Sequence, residues 1–288
     1  MSINELFIVG SCRTGSTPIY QLVINLFDVF YFTNLINKDY YENPALGCKI
    51  QKDSILSYNH NSYDSDYGKT EGDLGPSEGS SIFQNWFGGG HPSEIKSFDF
   101  LSIDKKNHMI KTINDIHDIM EKMIVIKNAW NIFRIKVISK AFPNSRFLWI
   151  RRDIREASLS SLNARYYRDD LNAWNTATPK NYKELCKLPP YQQVVEQHYE
   201  LDKTIKDNIP KGRYIEIWYE DLCLDTENTV KRLKKYFNMN VNISEIPKLQ
   251  IINSKEIEKG DHDKIIEYSS NQKRFEGYKY DINNNNNL

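Results

Sequence analysis

The sequence predicts an α/β fold, with a central, mainly parallel sheet flanked by helices in three layers. Three observations predict it. Short, continuous apolar runs recur along the chain, as in parallel strands buried on both faces. Segments with helical spacing of apolar residues separate those runs. Polar and charged residues cluster where the runs stop, and open parallel sheets bind ligands beyond the carboxyl ends of their strands.

The first strand is Leu6–Gly10, and Thr17 to Phe27 is a helix with Ile19, Leu22, Val23 and Leu26 at helical spacing. Val29–Phe32 is a second short strand. Residues 33–110 are rich in Asn, Ser, Asp, Gly and Tyr, and they predict a loop-rich insert with short helices, one around Ser80–Phe87, covering a site. Order returns with the strand Met123–Lys127, a helix from Asn131 to Phe142 and a turn at Pro143-Asn144. The strand Phe147–Ile150 runs into Arg151, Arg152 and Asp153 and a helix that reaches Tyr167. A helix over 191–208 is stopped by Pro210 and Gly212. The strand Tyr214–Trp218 ends at Tyr219-Glu220-Asp221-Leu222, and Thr226–Phe237 is a helix with Asp225 as N-cap. One domain over 1–282 accommodates these elements, and the Asn run in 283–288 predicts a frayed tail.

Composition narrows the function. Lys plus Arg and Asp plus Glu balance at 38 each among 288 residues. That balance argues against nucleic acid as a partner, which calls for excess positive charge, so any anion site must be local. No apolar stretch of about 18 residues predicts a membrane span. The opening MSINELFIVG reads as a strand rather than a signal peptide, so a cytoplasmic location is expected. Cys12, Cys48, Cys186 and Cys223 are too widely spaced for a zinc site or a dense disulfide framework and predict free thiols. No metal-ligand cluster stands out.

The segment FIVGSCRTGST, residues 7–17, places a polar loop between a strand and a helix. The helix start offers unpaired amides and a positive dipole end. Gly15 lets the backbone pass close to a ligand, the hydroxyls of Thr14, Ser16 and Thr17 add donors, and Arg13 adds a fixed charge and a planar fork of donors. Together they form an anion cradle. A nucleotide triphosphatase loop carries Lys immediately before its Ser/Thr; Gly15 stands there, so ATP with its metal is disfavoured. A second cradle is suggested by Arg152 at a strand end and Ser160 two helical turns later.

Taken together, these segments resemble the sulfotransferases that use 3′-phosphoadenosine 5′-phosphosulfate (PAPS), and most closely the bacterial and Golgi-type branch that includes tyrosylprotein sulfotransferases. FIVGSCRTGST is similar to the family's 5′-phosphosulfate loop, and FPNSRFLWIRRDIREASLSS to its 3′-phosphate segment. IVIKNAW and IEIWYEDL are similar to its strand ending in Lys and its recurrent Tyr-Glu-Asp-Leu segment. The resemblance implies a P-loop-like fold and assigns roles to matching residues. Arg13, Thr14, Gly15, Ser16 and Thr17 would hold the 5′-phosphosulfate, Arg152 and Ser160 the 3′-phosphate, and Tyr219 the nucleotide pocket. Lys127 would sit at the transferring sulfuryl group, and Lys127 and Arg13 would stabilise charge growing on the leaving phosphate, with no metal and with adenosine 3′,5′-bisphosphate as product.

The acceptor, a small molecule, carbohydrate or peptide bearing a hydroxyl or amine, must lose a proton, so a general base is expected. Glu78 ranks first, because its Pro-x-Glu ahead of an aromatic-rich helix is similar to a pattern of many bacterial members of that family; Glu42 and His91 are the other candidates. Lys273 and Arg274 weakly resemble a late basic loop that some sulfotransferases bring to the 3′-phosphate. Two other classes stay open at this point: a P-loop-type small-molecule kinase and a nucleotide-binding protein without catalysis.

Overall fold

Five parallel strands form the central sheet in the computed structural model, which describes residues 4–58, 60–63, 70–88, 101–174, 176–241 and 246–281. They are β1 (Glu5–Val9), β2 (Val29–Tyr31), β3 (Met123–Lys127), β4 (Arg146–Arg151) and β5 (Tyr214–Trp218), in the order β2-β3-β1-β4-β5. In register, Phe7 lies opposite Ile126 on β3 and Phe147 on β4.

Alternating side chains feed two cores, as the pleat requires. Phe7, Val9, Ile124, Ile126, Phe147 and Trp149 enter one core; Leu6, Ile8, Val125, Leu148, Ile150 and Ile217 enter the other. The helix α1 (Ser16–Leu26) packs on the second face.

The described residues of the 33–110 segment are more helical than their composition predicts. They form α2 (Asn34–Asp39), α3 (Pro44–Ser57), α4 (Ser80–Phe87) and the start of α5 (Ile103–Met120). Side-chain caps start three of these helices: Thr33, Asn43 and Ser102 accept from the amides of Ile36, Leu46 and Lys105. The α3 core face is short and weakly apolar, made of Ala45, Gly47, Cys48 and Gln51, so its period is faint in the sequence.

The helix expected from Asn131 to Phe142 begins instead as a 3-10 turn, Ala129–Arg134, followed by α6 (Ile135–Ala141). Beyond β4 come α7 (Ile154–Tyr167), the single turn α8 (Tyr182–Leu185) and α9 (Pro190–Asn208). After β5 come α10 (Tyr219–Leu224), α11 (Thr226–Phe237) and α12 (Asp261–Ser270). Helices α5, α6 and α9 join α4 on the first face, while α10 and α11 join α1 on the second. Among the described residues no helix is long and apolar enough to cross a membrane.

The topology dictates where a site can form. The chain leaves β1 for α1 on one face and leaves the adjacent β3 for α6 on the other. The two connections diverge, and a crevice opens beyond the strands' carboxyl ends.

Candidate functional site

The loop after β1 is bent by two left-handed residues, Arg13 at φ 58° and Gly15 at φ 86°. Such a backbone is costly for Arg, and strain of this kind gathers at functional sites. At Gly15 a side chain is also excluded by contact, because a Cβ there would lie 2.4 Å from Cδ2 of Tyr219. Gly15 caps α1 without a side-chain hydrogen bond. The amides of the first turn are therefore not taken by a side-chain cap, and Pro18 has no amide to satisfy. Between the two left-handed residues Thr14 is turned inward, fully buried, and its hydroxyl donates to the Ser11 carbonyl at 2.8 Å. It supports the loop and does not line the cleft.

The two predicted anion segments meet. Arg13 Nε donates to Ser160 Oγ on α7 at 3.1 Å. Arg152, just past β4, donates from Nη1 to the Arg13 carbonyl at 3.2 Å and from Nη2 to the Ile252 carbonyl at 2.7 Å. Its guanidinium lies 4.7 Å from the centre of the Tyr219 ring, within cation–π range. The Tyr219 hydroxyl accepts from the Ile252 amide at 3.2 Å. Arg152 Nε is buried and has no hydrogen-bond partner, which leaves one directed donor unspent.

At the end of β3 the Lys127 ammonium is buried. It donates to Thr17 Oγ1 at 3.1 Å and forms an ion pair with Glu78. Asn128 holds the Glu78 segment against β3, since its Nδ2 donates to the Glu78 carbonyl at 3.1 Å. Of the other candidate bases, Glu42 is exposed between α2 and α3 and does not line this cleft. His91 lies outside the described residues. Arg274 pairs with Glu196 on α9, and neither it nor Lys273 lines the cleft.

A cavity of about 460 Å³ joins these groups. Its walls carry Arg13, Gly15, Ser16, Thr17, Lys127, Arg152, Ser160 and Tyr219. Its charged lining is three cations and one carboxylate, Glu78. A chain of zero formal charge thus concentrates positive potential in one cleft, the requirement for anion capture.

Some lining residues escaped the sequence: Asn128, Thr176, Ala177, Ile252 and Ser254. Nor did it single out the buried cluster behind the loop, where His198 of α9 meets Ser11, Cys12 and Ser161. A signal for His198 existed. Val194, Val195, Leu201 and Ile205 fall on one helical face, and His198 and Asp202 interrupt this apolar stripe with polar groups.

The chain is 24% identical over 157 residues to omega-hydroxy-beta-dihydromenaquinone-9 sulfotransferase Stf3 from Mycobacterium bovis, and equally to the Mycobacterium tuberculosis protein of that name. Each match covers 50% of this chain and 36% of the relative, so it spans little more than a third of those proteins. The crystal structure of sulfotransferase STF9 from Mycobacterium avium shares the fold, with a TM-score of 0.50 and 12% identity over 95% of this chain and 69% of that one. The sulfotransferase family profile matches residues 5–242, from the first strand past the last. The chain belongs to the sulfotransferase family.

Proposed function

We propose that this chain moves the sulfuryl group of PAPS to a hydroxyl or amine of an acceptor by in-line displacement. The observation that carries the reading is the convergence of the β1 loop, Lys127 and the Arg152–Ser160 segment on one cleft, with a carboxylate, Glu78, on its wall.

The residues fit a ligand with two anionic ends. The cleft offers a helix start without a side-chain cap, a Gly15 position closed to any side chain, and the Arg152 side chain on its wall. Its volume lies in the range of ordinary ligand pockets. Arg13, Gly15, Ser16 and Thr17 would hold the 5′-phosphosulfate; Arg152 and Ser160 would hold the 3′-phosphate, with Tyr219 beside the nucleoside. PAPS supplies an activated sulfuryl group whose leaving group is a phosphate.

Sulfuryl transfer resembles phosphoryl transfer, where catalysis is mostly positioning and charge stabilisation. The chain's own residues divide that work. Lys127 and Arg13 present fixed positive charge where negative charge grows on the leaving oxygen. Thr17 orients Lys127 through their hydrogen bond. Glu78 takes the acceptor proton, and its ion pair with Lys127 holds the carboxylate at the cleft wall. By analogy with the hydroxy-menaquinone in the name of the Stf3 relatives, a hydroxyl on a small molecule is the first acceptor class to try.

Two measurements test the reading. Adenosine 3′,5′-bisphosphate should raise the melting temperature, whereas ATP with magnesium should not. An acceptor screen with labelled PAPS then yields a sulfated product. Stabilisation by ATP with magnesium and none by the bisphosphate would point instead to a kinase.

A further inference from the structure

We propose that His198 is a positioning residue: it fixes the spacing between the two anion-holding segments and so sets affinity for a ligand that must engage both. The inference rests on the donor reading above. His198 is 2% exposed and does not line the cleft, so it acts through its neighbours.

Its ring bridges three elements. From α9, Nδ1 lies 3.0 Å from Ser11 Oγ at the start of the β1 loop. On its other side Nε2 lies 2.9 Å from Ser161 Oγ on α7. Cys12 Sγ closes the cluster, 3.8 Å from Nε2 and 3.6 Å from Ser161 Oγ. Ser11 and Cys12 precede Arg13, and Ser161 follows Ser160, which accepts from Arg13. One rigid ring therefore ties the 5′ loop to the 3′ helix directly behind the residues that face the cleft.

The chemistry suits a fixed clamp. Burial pushes the imidazole down to about 4, so the ring is neutral, with one donor and one acceptor. Each serine hydroxyl can donate or accept, so both ring nitrogens are satisfied in either tautomer. An apolar side chain would fill the space and break both links.

A ligand with two anionic ends gains from its second contact only when the two subsites sit at the right separation. A ligand with one end gains nothing from that separation. Loosening the clamp should therefore penalise the two-ended ligand selectively.

The test measures binding of adenosine 3′,5′-bisphosphate, adenosine 5′-phosphate and adenosine 3′-phosphate to the wild-type chain, His198→Ala and Ser161→Ala. The bisphosphate should weaken by about tenfold or more in each variant, and each monophosphate by less than about threefold. Ser161→Ala breaks the same link from α7 and keeps the test open if His198→Ala fails to fold. Equal losses for all three ligands would make His198 a structural residue only and overturn the inference, as would unchanged bisphosphate affinity. A wild-type chain that does not bind the bisphosphate refutes the donor reading and this inference with it, an outcome distinct from equal losses among variants of a chain that does bind.

Discussion

Replacing Gly15 with Ala tests the geometry of the anion loop at its tightest point. The added Cβ would stand 2.4 Å from Cδ2 of Tyr219, against 3.4–4 Å for ordinary contact, so something must move by about 1 Å. Tyr219 cannot retreat freely, because Arg152 lies over its ring and the Ile252 amide holds its hydroxyl. Forcing an overpacked contact costs about 1–3 kcal/mol. The backbone adds about 1–2 kcal/mol, because φ 86° is left-handed and Ala is not at home there. The sum, about 2–5 kcal/mol, corresponds to a melting temperature lower by roughly 3–8 °C for a chain of this size. The assay is denaturant unfolding of four proteins: wild type, Gly15→Ala, Tyr219→Ala and the double variant. With Tyr219 removed, Gly15→Ala should cost only the backbone part, leaving a coupling energy of about 1–3 kcal/mol. An equal cost in both backgrounds would falsify the steric reading.

Further outcomes follow from the same cleft. Arg13→Ala should weaken adenosine 3′,5′-bisphosphate binding by about tenfold or more, since charged hydrogen bonds are worth about 1.5–3 kcal/mol; calorimetry showing wild-type affinity removes Arg13 from the site. Lys127→Ala should lower kcat by about a hundredfold while bisphosphate affinity stays within a few-fold, and normal turnover removes Lys127 from the mechanism. Glu78→Gln should lower kcat by a factor on the order of 100 to 10,000 with the bisphosphate still bound; unchanged turnover means the base lies elsewhere. Glu220 makes a separate prediction about pH. Burial pushes its carboxyl from 4.5 up to about 7, although its Oε1 accepts the Asp153 amide at 3.0 Å. The folded chain then keeps a proton that the unfolded chain releases between pH 4.5 and about 7, so stability falls as pH rises through that window and stays lower above it. Glu220→Gln should match wild type near pH 4 and exceed its stability at pH 8 by up to about 3 kcal/mol. Parallel stability curves for the two proteins across that range rule the effect out.

Much of this architecture was legible because parallel sheets write themselves plainly. LFIV, MIVIK and FLWI are buried on both faces, so no alternation blurs them. The sheet also gathers its carboxyl ends, so Arg13, Lys127, Arg152 and Tyr219, far apart in sequence, could be read as neighbours from strand ends alone. Glu78 is not at a strand end, and only its Pro-x-Glu pattern pointed to it; Asn128 and the Lys127 pair bring it to β3. What stayed hidden depends on contacts between distant segments. The α3 face is too weakly apolar to declare a period, and its helix is settled by packing on α5. Thr14 reads as a ligand donor until two left-handed neighbours turn its hydroxyl to the Ser11 carbonyl. His198 looks like an ordinary helix residue until three elements close around it.

The lysine absent from the β1 loop is then a consequence of the fold. A triphosphatase loop places Lys immediately before its Ser/Thr, so that an ammonium reaches the phosphates from within the loop. In this chain position 15 is roofed by Tyr219, and even a methyl group there would collide with the ring. No side chain could emerge at that point unless Tyr219 left, and Tyr219 is held by Arg152 and Ile252. The cation has to arrive from elsewhere. The neighbouring strand β3 ends with Lys127, whose ammonium reaches Thr17, two residues beyond Gly15. A lysine on a strand end is anchored by the sheet, whereas one in the loop moves with the loop. Its position also lets it meet Glu78. The substitution of a strand lysine for a loop lysine therefore brings a cation and a carboxylate together at the cleft wall, the pair that a metal-free group transfer to a hydroxyl would use.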